Sequence, residues 1–271
     1  LMSEHSLPFY VVNAFTSSMF GGNPAAVVPL ETALDDDLLL AIAAQHNLSE
    51  TAYFEPQTEG FYKLRWFTPK AEVRLCGHAT LATAWVIQRL EGIQPEGLRF
   101  ETLSGTLTVK KVGSNSLAID FPAIETREID AIPALENALG VPVRSLRAAA
   151  QHPWQLIAVV DDQRTVEQCS PNFEALKSAT PLCVAITAPS DDVDFVSRFF
   201  APHLGILEDP VTGSAHCQLA PMWAGMLDKT DLMARQLSER GGNVSCRVLG
   251  DRVELIGSCM RYAEGCLYLP R

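Results

Sequence analysis

The sequence predicts an α+β chain in two similar halves, each a set of strands around one buried helix. Three observations predict it. Two strongly apolar helical segments, "GHATLATAWVIQRL" and "TGSAHCQLAPMWAGML", stand half a chain apart, with Gly77 and Gly213 separated by 136 positions (213 − 77 = 136) in 271 residues. The segments open alike, with Cys76-Gly77-His78-Ala79 and Thr212-Gly213-Ser214-Ala215, after Glu72-Val73 in one half and Asp209-Pro210-Val211 in the other. Short alternating runs rich in β-branched and aromatic residues surround each, the pattern of half-buried strands. A handful of matching positions is also within the reach of chance, so these residues leave duplication and coincidence both open.

Along the chain, "FYVVNAF" reads as a strand and "SSMFGGNP" breaks it with two glycines and a proline. "AAVVPL" reads as a second strand or a short buried segment. "LDDDLLLAIAAQHN" reads as a helix, with Asp35 as the N-cap and Asn47 ending it in a left-handed conformation. "ETAYFEP" and "FYKLRWFTP" alternate as strands. The first apolar helix follows, then strands joined by Ser/Gly turns through "LRFETLSGTLTVKKVGSNSLAIDFP". In the second half, "IPALENALG" is a small helix ended by Gly140 and "WQLIAVV" is a strand. "PNFEALKSA" and "DFVSRFF" are expected as helices around the strand "LCVAIT". Pro221 is expected to kink or end the second apolar helix, and "VSCRVLGDRVELIGSC" reads as a strand pair turning at Gly250-Asp251.

Composition narrows the function. With 47% hydrophobic and 20% charged residues, a packed globular chain is expected. A formal net charge of -11 argues against nucleic acid and anionic membrane surfaces as partners. No apolar run approaches the roughly 20 residues of a membrane span, and "LMSEHSLPFYVV" lacks the basic-then-apolar pattern of a signal peptide. The seven cysteines are odd in number and include no Cys-x-x-Cys, which reads as reduced thiols in a cytoplasmic protein.

Two helix starts opened by Gly and small polar residues offer outward-pointing amides and a positive dipole end, a natural anion site. The plainer reading is that Gly77 and Gly213 permit close packing while Thr212 and Ser214 cap a helix. There is no Gly-Lys-Ser/Thr phosphate loop and no Gly-x-Ser-x-Gly elbow. His216 and Cys217 are adjacent on one helix and point apart, so a zinc site is not expected. His78 is open to three roles: proton carrier, hydrogen-bond donor to substrate or satisfied core histidine. The residues alone read Glu50 as a solvated carboxylate, and leave Asp209 open to orienting His78, binding a substrate amine, capping the helix or satisfying nearby backbone. Cys76 reads equally as an activated or a buried thiol.

The stretches "VVNAFTSSMFGGNPAAVV", "LSETAYF", "LRWFTPKAEVRLCGHATLA" and "EDPVTGSAHC", in that order over most of the chain, resemble the phenazine-biosynthesis isomerase (PhzF-like) family. The resemblance implies a diaminopimelate epimerase-like fold. Two pseudo-symmetric halves each wrap a curved mixed β-sheet or barrel around a central apolar helix, with the active site in the cleft between them. The halves are expected at 1–122, joined by a C-terminal strand at 260–271, and 123–259. The resemblance also implies a homodimer that needs neither metal nor organic cofactor and acts on a small carboxylate-bearing substrate. The best-known member isomerises trans-2,3-dihydro-3-hydroxyanthranilate by moving a proton between ring carbons. Carried over by motif, the catalytic residues are Glu50, His78, Asp209 and Ser214, with Asn23, Cys76, Gly77, Ala79, Thr212 and Gly213 binding substrate or its anionic group. A two-thiol racemase on the same fold is the competing enzyme, with Cys76 as one thiol, and a non-catalytic small-molecule binder is the competing class.

Overall fold

The computed structural model describes residues 6–91 and 97–269. The chain divides into two compact units, Leu1–Asp120 with Ile256–Arg271, and Phe121–Leu255. The first unit contains β1 (Ser6–Ala14), β2 (Asn23–Pro29), α1 (Asp36–His46), β3 (Glu50–Thr58), β4 (Phe61–Phe67), β5 (Glu72–Val73), α2 (Gly77–Glu91), β6 (Leu98–Thr102), β7 (Gly105–Lys111) and β8 (Ser116–Pro122). The second contains β9 (Thr126–Ile129), α3 (Pro133–Leu139), β10 (Ser145–Ala149), β11 (Gln155–Val159), α4 (Gln163–Gln168), α5 (Phe173–Ala179), β12 (Cys183–Pro189), β13 (Phe195–Phe200), α6 (Gly213–Leu227), β14 (Asp231–Gln236) and β15 (Gly242–Leu249). The last strand, β16 (Arg252–Tyr268), begins in the second unit and from Ile256 belongs to the first.

In the first unit the strands run β1-β2-β3-β4-β6-β7-β8-β16, and β1 pairs back onto β16, so eight strands close a barrel. The pairing is mixed: β2–β3 and β4–β6 are parallel, the crossovers being α1 and α2. Such crossovers need a helix because parallel partners cannot be joined by a tight turn. Helix α2 is buried on most sides, with its Thr80 and Thr83 hydroxyls bonded to the Cys76 and Ala79 carbonyls, which suits the inside of a barrel. Ala79, Leu81, Ala82, Ala84, Val86 and Ile87 are all buried. Burying a side chain such as Leu81 or Ile87 is worth about 1.5–3 kcal/mol. Gly257 of β16 makes room for this packing: a Cβ there would lie 2.4 Å from the Phe15 ring and 3.2 Å from Leu81. Helix α1 covers the outside, where Leu39, Ile42 and Ala43 pack on Val28, Tyr53 and Phe67. Tyr53 donates its hydroxyl hydrogen to the Leu39 carbonyl.

The second unit repeats the plan. Its strands run β16-β15-β14-β13-β12-β11-β10-β9, with β11–β12 and β13–β14 parallel. Helix α6 crosses between β13 and β14 as α2 crosses between β4 and β6. Both helices are 15 residues long and both ends are offset by the same 136 positions (213 − 77 and 227 − 91). The repeated crossover is stronger evidence for duplication than the matched residues were. Helices α3, α4 and α5 lie over the other face of this sheet, on Leu156, Ala158, Val184, Ile186, Val196 and Phe200.

Three expectations change. "DFVSRFF" is the strand β13, not a helix. Its Val196 and Phe200 join the outer core, while Phe195 lies on the opposite side against His216 and Trp223 of α6. That is period-two alternation, which the two neighbouring strands stabilise. Pro221 does not end α6, which continues to Leu227. A proline cannot donate to the carbonyl four residues back, and here that carbonyl, of Cys217, accepts instead from the Ile124 amide at 2.8 Å. Asp35 has the extended backbone of an N-cap but makes no side-chain capping bond. Asn47 ends α1 at φ 51, as its position predicts. Among the described residues, no helix is long and apolar enough to cross a membrane.

Candidate active site

Glu50 is the first residue of β3 and reaches the site because "LSETAYF" passes directly from the α1 turn into the barrel. His78 is the second residue of α2, and Cys76 is the residue just before that helix. The three side chains meet. His78 Nε2 lies 3.1 Å from Glu50 Oε2, and His78 Nδ1 lies 3.5 Å from Cys76 Sγ. The Glu50–His78 contact has the distance of an ion pair but not the alignment of a hydrogen bond, and both atoms are buried without another aligned partner. The Glu50 side chain keeps 14% of its surface exposed against 6% for His78, so Glu50 is the more accessible member of the pair.

The charges follow from this packing. Burial opposes the imidazolium, but the neighbouring Cys76 and Glu50 outweigh it and hold His78 well above the usual histidine range. Burial pushes the Cys76 thiol up to about 11, with the Glu50 charge adding to it. Glu50, 3.1 Å from Nε2, is one of the two acidic neighbours that favour the proton on His78. Cys76 reads as a buried thiol acting as a cap: the Ala79 amide is directed at its sulfur, and its carbonyl accepts from Thr80. Asn23, fully buried at the start of β2, accepts from the Ser49 hydroxyl at 3.1 Å and so braces the strand beside Glu50.

Among the described residues, Glu50, Cys76 and His78 are also the group whose metal-ligating atoms gather within 4.8 Å. The geometry suits a proton network better than a metal. Cys76 and Glu50 approach different nitrogens of the same ring. A tetrahedral ion needs one ring nitrogen and both other donors converging on a single point.

The remaining predicted residues lie in the second unit. Asp209, Thr212, Gly213 and Ser214 form the turn into α6. The sequence reading overlooked what holds this turn. Arg198 of β13 grips Glu208 with two bonds, at 2.8 and 2.9 Å, and also donates to the Cys169 carbonyl. The Asp209 amide donates to the Phe199 carbonyl and the Ser238 hydroxyl to that of Pro210. Gln236 bonds Asp209 and Thr212. Thr212 is the N-cap by position yet makes no capping bond, because its hydroxyl donates to Asp209 Oδ2.

His216 and Cys217 are packing residues. His216 is fully buried, with Nδ1 2.8 Å from the Thr212 carbonyl, and burial pushes it down to about 4. A neutral buried histidine favours the fold above its unfolded value near 6.5, and that advantage is lost as pH falls toward 4. Wild type should therefore lose about 3 kcal/mol more than His216→Gln between pH 7 and 4 in urea unfolding. Parallel losses in the two proteins would refute a neutral His216. Cys217 is buried, its thiol pushed up to about 12 by burial and directed at the Gly213 carbonyl, so it is a poor candidate for the second thiol of a racemase.

Residues 12–265 match the family described as phenazine biosynthesis-like protein (PhzC-PhzF). A protein of Pseudomonas aeruginosa described as an uncharacterized isomerase is 48% identical over 264 residues, covering 97% of this chain and 99% of that protein. A crystal structure of a PhzF-family phenazine biosynthesis protein from Enterococcus faecalis superposes with a TM-score of 0.93 at 43% identity, covering 98% of this chain and 100% of that one. At 18% identity, a predicted epimerase of Pseudomonas aeruginosa shares the fold, with a TM-score of 0.77 over 97% of this chain and 100% of that one.

Proposed function

We infer, from the premise that this chain belongs to the phenazine biosynthesis-like PhzC-PhzF family, that it is an isomerase that moves a proton between carbons of a small carboxylated substrate. The observation that carries the reading is the buried contact of Glu50 with His78 at the start of α2. Glu50 is the group that takes the proton from one carbon and returns it to another. His78, held protonated, fixes the Glu50 carboxylate and the substrate beside it. A single carboxyl serves both steps because the acid formed in the first is the donor in the second. Asp209 and Ser214 are assigned to the substrate's amine or hydroxyl group, and the helix-start amides at Gly213 and Gly77 to its carboxylate. A cytoplasmic homodimer belongs to the same reading. A thiol mechanism is disfavoured by the buried, neutral states of Cys76 and Cys217.

The test uses trans-2,3-dihydro-3-hydroxyanthranilate in D2O, followed by NMR. The expected result is isomerised product, with deuterium at the receiving carbon to the extent that the Glu50 acid exchanges with solvent before it returns the proton. Binding of the compound with neither isomerisation nor label would instead make the protein a binder.

A further inference from the structure

We propose that Gln236, the last residue of β14, is a positioning residue that orients Asp209 through the Thr212 hydroxyl. The proposal rests on the functional reading above and adds a residue to it. Gln236 is fully buried, and both ends of its amide are used. Its Oε1 accepts from the Thr212 amide at 2.9 Å. Its Nε2 donates to the Asp209 carbonyl at 2.7 Å and to Thr212 Oγ1 at 3.1 Å. An amide nitrogen can only donate, and a hydroxyl has a single hydrogen. Thr212 Oγ1 therefore accepts from Gln236 and gives its hydrogen to Asp209 Oδ2. The direction of the whole chain, Gln236 to Thr212 to Asp209, is set by Gln236.

Two consequences follow from that direction. Asp209 is held at its backbone carbonyl by the Gln236 amide and at Oδ2 by the Thr212 hydroxyl that this amide orients, which ties the carboxylate to the turn. The Thr212 hydroxyl is also drawn away from the α6 amides it would cap in an ordinary helix. The side chain best placed to fill those donors is thus committed elsewhere, consistent with their assignment to the substrate carboxylate.

The test compares Gln236→Met, Thr212→Val, Thr212→Ser and the Gln236→Met/Thr212→Val double variant. The ligand probe is 3-hydroxyanthranilate, a stable aromatic compound carrying the amine, hydroxyl and carboxylate of the proposed substrate, measured by calorimetry. Gln236→Met and Thr212→Val are each expected to bind it about tenfold more weakly. Thr212→Ser, which keeps the hydroxyl, should bind as wild type does, and the double variant should be no weaker than the weaker single one. Fully additive losses, or wild-type affinity in folded Gln236→Met, would overturn the relay. A second arm needs no ligand: hydrogen exchange across residues 209–215, read by mass spectrometry, should quicken in Gln236→Met at unchanged exchange elsewhere, and unchanged exchange in the turn would overturn the proposal. Wild type that fails to bind the probe while this second arm succeeds counts against the substrate class and leaves Gln236 as the turn's positioning residue.

Discussion

Glu50→Gln is expected to lower isomerase turnover by roughly 10²- to 10⁴-fold, the range a positioned acid or base supplies, while leaving the thermal melt and circular dichroism close to wild type. The amide is nearly isosteric with the carboxylate, so the barrel entry at β3 is undisturbed, but it can neither take up the substrate proton nor return it. A second readout tests the electrostatics independently. Against burial, Cys76 and Glu50 together hold His78 above the usual histidine range. With the Glu50 charge removed, only part of that support remains and His78 should turn neutral at a lower pH, which ring NMR signals across a titration would record. Turnover at the wild-type rate would overturn Glu50 as the proton carrier. An unmoved His78 titration would overturn the account of its charge.

Gly22→Ala is expected to destabilise the protein by about 2–5 kcal/mol, the sum of left-handed strain and overpacking. Gly22 sits at φ +69, and a Cβ there would lie 2.3 Å from the Ala14 carbonyl oxygen and 2.7 Å from Thr16 Cγ2. The backbone oxygen belongs to β1 and cannot move without disturbing the barrel. Gly250→Ala separates the two causes. It shares the backbone angle, φ +65, but has nothing within 4 Å of the added carbon, so only the strain remains. Urea unfolding of both variants measures the difference, and equal losses would show that the contact with β1 costs nothing.

Much of the architecture was legible because it is written in local patterns. The two helices show as long, mainly apolar runs, and their shared spacing marks the repeat. β13 was misread because Phe195, Phe199 and Phe200 are apolar on both faces of a strand packed on two sides, which erases the alternation on which a strand assignment depends. The short β9 and β10 and the six-residue α4 carry too few residues for periodicity to register. Among the candidate residues, Glu50, His78 and Asp209 were proposed through motif resemblance, since no local pattern separates them from solvated carboxylates or a core histidine. Arg198 and Gln236 escaped both routes. Each acts across strands on a turn distant in sequence, and such a partnership exists only once the sheet has formed.

β16 has a consequence for how the chain is born. Its register sets Ser6 against Tyr268, so the first barrel is closed by residues at the opposite end of the molecule. A ribosome delivers all of Phe121–Leu255 before it delivers Ile256–Tyr268. The half translated first is therefore the half completed last, reversing the usual N-to-C order in which domains fold during synthesis. Until the last stave emerges, β1 and β8 wait with open edges, the kind of surface that invites pairing with a neighbouring chain.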